Sequence, residues 1–171
     1  MKIKEQESER HVLTVTVDNE AGILAKIAGL FTARGYNIDS LTVADITVNH
    51  AVSRITIVTN GPPEVIDQIR AQLERQIPVH KVVDLTEEGP HVERELALVK
   101  VAGTGEKRVE ALRLADIFRA KPVDTTTESF IFEITGAPEK IDSFVGLMRE
   151  LGLVEVGRTG IVGMMRGAEG A

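Results

Sequence analysis

The sequence predicts an α+β fold of two ferredoxin-like βαββαβ sandwiches, on three observations. Alternating apolar stretches and helical stripes follow one another in the order strand, helix, strand, strand, helix, strand. The same order returns after the run Glu87-Glu88-Gly89-Pro90. With 171 residues and 43% hydrophobic content, the chain can fill two small cores.

From His11 to Val17, Leu13, Val15 and Val17 share one face and Thr14 and Thr16 the other, as in a half-buried strand. Between Gly22 and Arg34, the residues Ile23, Leu24, Ile27, Leu30 and Phe31 fall at helical spacing, and Arg34-Gly35 supplies a basic last turn and a glycine stop. Ile38 to Val48 and Ala51 to Thr59 are rich in β-branched residues around Asn49-His50, which predicts a hairpin. Pro62-Pro63 then breaks the chain. Val65, Ile66, Ile69 and Leu73 mark a second helix ending before Pro78, and Val79 to Leu85 closes the unit as a strand.

In the second half, Glu95 to Val101 reads as a strand and Glu106 to Phe118 as a helix. Val123 to Thr127 and Ser129 to Thr135 read as strands, Lys140 to Leu151 as a helix and Leu153 to Arg158 as a strand. The expected domains are a leader at 1–10, a first sandwich at 11–86, a linker at 87–92 and a second sandwich at 93–171. Each sheet is expected to leave one face uncovered by its own helices, which points to association into homodimers or larger homo-oligomers.

Composition removes several classes. With no cysteine, disulfides, thiolate zinc sites and cysteine nucleophiles are excluded, which fits a reducing compartment, and a cytoplasmic location is expected. No segment approaches the roughly 20 apolar residues of a membrane span, so no membrane partner is expected. A net charge of -6 and 4% aromatic content argue against nucleic acid, whose binding needs basic residues and stacking rings.

No catalytic constellation stands out. His11, His50, His80 and His91 lie at strand edges and linkers without metal-ligand spacing, so solvated or capping roles are expected and no metal is assigned. No serine has nucleophile-elbow context. Gly103-Thr104-Gly105 opens a helix but lacks a third glycine, and Glu106 would repel a pyrophosphate, so a turn before a capped helix is the reading.

The stretch DNEAGIL differs. Gly22 opens the first helix, where unpaired N–H groups and the dipole can hold a carboxylate, and its missing Cβ lets a ligand approach. The amide of Asn19 offers one acceptor and two donors, able to read the ammonium and carboxylate of an amino acid. Read from local spacing alone, Asp18 and Asn19 are turn and cap residues, and Asn37 is a left-handed turn residue.

The run DNEAGILAKIAGLFTARGYNIDSLTVA, with SRITI at Ser53 to Ile57 and HVERELALVKV at His91 to Val101, closely resembles the regulatory small subunit of acetolactate synthase (acetohydroxyacid synthase). IFRAKPVDTTTESF and VEVGRTGIVGMMRG extend the resemblance over nearly the whole chain. The first sandwich resembles an ACT domain, an amino-acid-sensing version of the fold, and the second is ACT-like.

The resemblance implies a non-catalytic subunit with no cofactor of its own. The large catalytic subunit would carry thiamine diphosphate, magnesium and FAD in branched-chain amino acid biosynthesis. The small subunit would raise its activity and confer feedback inhibition by valine. It also implies an effector site between paired ACT domains, with Asn19, Gly22, Ile23 and Leu24 from one chain and Asn37 and Ile38 from its neighbour. Two alternatives remain on the residues alone. One is a sensor module for another enzyme or a transcription factor. The other is an acylphosphatase-like hydrolase, which would need an arginine after the first strand, where this chain has none until Arg34.

Overall fold

The computed structural model describes residues 8–168 and 170. The chain divides into two compact units, one formed by the residues up to Val92 together with those from Ile161 onward, the other by Glu93–Gly160. Among the described residues, no helix is long and apolar enough to cross a membrane.

The first unit runs β1 (Glu9–Asp18), α1 (Ile23–Thr32), β2 (Ile38–Asp45), β3 (Val52–Gly61), α2 (Pro63–Glu74) and β4 (Val79–Asp84). Its sheet has the order β2-β3-β1-β4, with every pairing antiparallel. The alternation along β1 sends Leu13, Val15 and Val17 toward the helices, where they meet Ile27 and Phe31 of α1 and Ile66, Ile69 and Leu73 of α2. These are the positions the two sequence periods selected. Glu9 and Arg10, expected in the leader, already belong to β1 and face Gly61 and Asn60. The leader up to Glu7 lies outside the described residues.

Two boundaries differ from the sequence reading for identifiable reasons. Strand β2 stops at Asp45 rather than Val48, because the Ile46 N–H bonds the Val52 carbonyl and Thr47 Oγ1 accepts from the N–H groups of Ala51 and Val52. Those bonds close the hairpin three residues early, and His50 completes it with φ 55. Strand β4 ends at Asp84 rather than Leu85, and a single helical turn, α3 (Leu85–Glu88), runs into the start of the expected linker at 87–92; Asp84 starts the turn, its Oδ1 accepting from the Thr86 N–H at 3.0 Å.

The second unit repeats the order with β5 (His91–Ala102), α4 (Gly105–Ile117), β6 (Lys121–Thr125), β7 (Ser129–Gly136), α5 (Pro138–Glu150) and β8 (Leu153–Arg158). Its strands are ordered β6-β7-β5-β8. The core combines Val99 and Val101 of β5, Phe132 and Ile134 of β7, and Ile141, Phe144 and Met148 of α5. Phe132 meets Phe144 edge to face at 6.0 Å between ring centres. Helix α4 contributes only Ala111 and Ala115 to the fully buried set, which is why its sequence shows many charges and a faint apolar stripe.

A further strand, β9 (Val162–Met165), pairs with β5. The sequence reading kept these residues with the second sandwich, at 93–171, whereas the structure gathers Ile161 and its successors into the first unit. There Ile161 and Met165 cover Val12, Val58 and Val83, the apolar residues on the sheet face away from α1 and α2. That face is left uncovered by α1 and α2, as expected, and the segment from Ile161 partly covers it.

Candidate functional site

Helix α1 begins without a side-chain cap. Its N-cap is Gly22, at φ 84, a left-handed conformation that a Cβ disfavours by about 1–2 kcal/mol. A Cβ added at Gly22 would meet no other atom within 4 Å, so it is the backbone conformation and not crowding that favours glycine there. The Ile23 N–H makes a long bond of 3.3 Å to the Glu20 carbonyl, and the Lys26 N–H bonds the Gly22 carbonyl at 3.1 Å. Among the described residues, no backbone carbonyl accepts from Leu24 or Ala25. An uncapped helix start with free N–H groups and the positive end of the dipole suits a carboxylate.

Asp18 and Asn19 are not caps. Asp18 Oδ1 pairs with His80 Nε2 at 2.6 Å, tying the end of β1 to β4. Asn19 Nδ2 donates to Asp45 Oδ1 at 3.1 Å and to the His50 carbonyl at 3.0 Å, so this side chain is fastened to the β2–β3 hairpin. Asp45 collects two more donors, Ser53 Oγ at 2.9 Å and His50 Nδ1 at 2.8 Å. The bond to His50, followed by that to Ser53, holds the Asp45 carboxyl below its ordinary value. Asp45 and Ser53 carried no sign of this role in the sequence. The turn signal at Asn49-His50 marked the hairpin, but not what its carboxylate would hold.

Asn37 and Ile38 stand at the other end of α1, which spans about 15 Å at 1.5 Å per residue. Asn37 is not left-handed; that conformation belongs to Gly35, at φ 71. Its Nδ2 donates to Asp39 Oδ1 at 2.9 Å and its carbonyl accepts from Thr59 Oγ1 at 2.6 Å. Its side chain is exposed, while Ile38 packs against the first core. Within one chain, then, Asn19, Gly22, Ile23 and Leu24 gather at one corner, and Asn37 and Ile38 lie apart from them. Strand β2 is an edge of its sheet.

Other polar groups have structural employment. His11, expected in a solvated or capping role, is 1% exposed and bonds Asp84 Oδ2 at 2.6 Å. Glu87 completes a group of three potential ligands with this pair, yet it also faces Arg70 at 3.7 Å, and Asp84 starts α3. His11 reaches across 73 positions of sequence to join Asp84 and its near neighbour Glu87, a meeting that no spacing motif could indicate. In the second unit, Arg158 forks onto buried Glu95 at 2.8 and 2.6 Å and reaches Asp142 at 2.7 Å, and the bond to Glu95 chiefly raises its pKa. That unit's sheet also bears a shallow hollow of about 170 Å³ lined by Leu98, Lys100, Ile131, Glu155 and Gly157.

Comparison with known proteins places both units. Residues 13–81 match the acetohydroxyacid synthase small subunit-like ACT domain, and residues 94–167 match the small subunit of acetolactate synthase. The chain is 42% identical over 159 residues to the acetolactate synthase isozyme 3 small subunit of Escherichia coli, covering 92% of this chain and 96% of that one. It is similarly 42% identical to the Haemophilus influenzae small subunit, with the same coverage. The crystal structure of the small subunit from Thermotoga maritima superposes with a TM-score of 0.83 at 38% identity, covering 94% of this chain and 99% of that one. Identity at this level over almost the entire length of the relatives joins an ACT unit and a second unit found in the same order. The chain belongs to the family of acetolactate synthase small subunits.

Proposed function

We propose that this chain is a regulatory subunit that raises the activity of an acetolactate synthase catalytic subunit and imposes feedback inhibition by valine, which binds at the start of α1. The uncapped, glycine-opened start of α1 carries the reading. It offers free N–H groups, a glycine whose Cβ position has no atom within 4 Å, and the fixed Asn19 amide at one corner. Thiamine diphosphate, magnesium and FAD are assigned to the catalytic subunit, and no step of carboligation to residues of this chain.

The valine carboxylate would meet the Leu24 and Ala25 N–H groups, with Gly22 allowing the approach. Ile23 contributes by its buried side chain, which anchors the helix start, rather than by an N–H already directed at Glu20. Asn37 and Ile38 would close the site from a second chain, paired along the β2 edge. An isologous pair of that kind contains two identical sites, each built from the helix start of one chain and the β2 start of the other. Valine would then fix the relation between two chains. It inhibits only to the extent that it binds the inhibited arrangement better than the active one, and a coupling of about 1–3 kcal/mol is ordinary.

The test is acetolactate formation by the catalytic subunit, alone and with this chain, across a valine titration. The chain should raise the rate and valine should lower it saturably. Asn37→Ala should still raise the rate while moving the inhibition midpoint upward about tenfold, equivalent to about 1.4 kcal/mol. An unchanged midpoint in that variant contradicts the assignment of Asn37.

A further inference from the structure

The amide of Asn19 can face only one way. Its Nδ2 lies against Asp45 Oδ1 and the His50 carbonyl oxygen, and both are acceptors, so a reversed amide would set oxygen against oxygen twice. Both N–H bonds are consumed inside the chain. Only Oδ1 remains for a ligand, so Asn19 cannot read carboxylate and ammonium alike, as the free side chain would allow. In the proposed site the helix start would supply the carboxylate contacts, which would leave Asn19 as an acceptor for a donor beside them.

We infer that Asp45 is a positioning residue for the effector site. By holding the Asn19 amide with its oxygen outward, it makes the site select a free α-amino acid over the 2-oxo acid bearing the same side chain. This deepens the reading of the α1 start as an amino-acid site and rests on it. The two ligands share a carboxylate and a side chain and differ only at the α-carbon, where one has an ammonium and the other a carbonyl oxygen. An outward amide oxygen accepts from the ammonium and repels the carbonyl. Without Asp45 only the His50 carbonyl holds the amide, which could then turn its NH₂ outward and donate to the ligand's carbonyl, and the discrimination falls.

Asp45 is well placed for the task. It is the last residue of β2, one carboxylate oxygen receives Asn19 and Ser53, and the other receives His50. The hydroxyl and the imidazole thereby restrict the carboxylate, and the carboxylate restricts the amide. An amino acid and its 2-oxo acid are one amino transfer apart, so the device lets the subunit respond to the finished amino acid and ignore its immediate precursor.

The experiment is calorimetric titration of the full-length chain with L-valine and, separately, with 3-methyl-2-oxobutanoate. In the wild type, valine should bind at least about tenfold more tightly than the oxo acid, as a site with a committed polar partner requires. Asp45→Ala should weaken valine about tenfold and bring the two affinities within about threefold of each other. Asp45→Asn keeps an oxygen that can accept from Asn19 and should restore most of the wild-type ratio, a rescue that a generally loosened hairpin would not give. Should Asp45→Ala fail to fold, Ser53→Ala, which removes one restraint on Asp45, should lower the ratio in the same direction. A wild-type ratio in both Asp45→Ala and Ser53→Ala, or in Ser53→Ala where Asp45→Ala does not fold, overturns the inference, as does a wild type that binds both ligands equally. A wild type that binds neither refutes the underlying site before Asp45 enters.

Discussion

His11 shows how much a single residue's parity can hide. It shares the face of Leu13 and Val15, so the strand period alone buries it, and the imidazole survives burial because Asp84 lies 2.6 Å away across the sheet. A buried polar pair is strongly destabilising to break and nearly neutral to replace as a whole. His11→Ala should therefore cost about 3 kcal/mol and lower the melting temperature by several degrees, whereas a His11→Leu, Asp84→Leu double substitution should retain most of the stability. Thermal unfolding of the three proteins decides it, and a double variant as unstable as the single would contradict the pairing argument. Gly22 was legible at the same scale, because a glycine at the head of a helical stripe marks a backbone position that a side chain would strain. Asn19 was legible as a residue but not in orientation. What fixes its amide is Asp45, 26 positions away, and only the closed hairpin brings them together.

At the scale of elements, strands and helices with a clear period were read nearly to their ends. The Leu13-Val15-Val17 alternation and the Ile66-Ile69-Leu73 stripe each announce one buried face. Helix α4 was harder, since alanine is all it sends to full burial and its charged residues obscure the stripe. Strand β9 was invisible for a different reason. Four residues, Val162–Met165, carry too short a pattern, and their worth depends on a face of the first sheet distant in sequence. The segment is anchored there by polar bonds as well as by Ile161. Ser40 Oγ accepts from the Ile161 N–H at 2.8 Å, Thr42 Oγ1 donates to its carbonyl, and Arg54 donates to the Gly163 carbonyl at 3.2 Å. Burial under this cover lowers the pKa of Arg54. Because Ile161 is 7% exposed among Val12, Val58 and Leu85, Ile161→Ala should destabilise the first unit by about 2–3 kcal/mol. Amide exchange resolved by residue should speed up in β1 and β3 while β7 keeps its protection. Equal loss in both sheets would show that the segment's role is not specific to the first.

In the whole molecule as proposed, each chain contributes two unlike halves of an effector site from opposite ends of α1. The joining of the two halves came only from a family resemblance: the residues alone suggest an anion corner at Gly22 and treat Asn37 as an ordinary turn residue. The structure supplies the physical reason for separating them, a helix about 15 Å long between the two corners. A shared site has a signature that a site within one chain lacks. Gly22→Asp and Asn37→Ala damage different halves, so a pair containing one of each has one site with both lesions and one with neither.

Valine binding by the two variants, measured by calorimetry first separately and then after co-refolding in equal amounts, probes that sharing without any catalytic partner. Gly22→Asp should lose saturable binding, Asn37→Ala should bind about tenfold more weakly, and the mixture should regain wild-type affinity at part of the wild-type stoichiometry. A mixture that shows no wild-type component, or a Gly22→Asp chain that binds valine as the wild type does, would contradict the shared site.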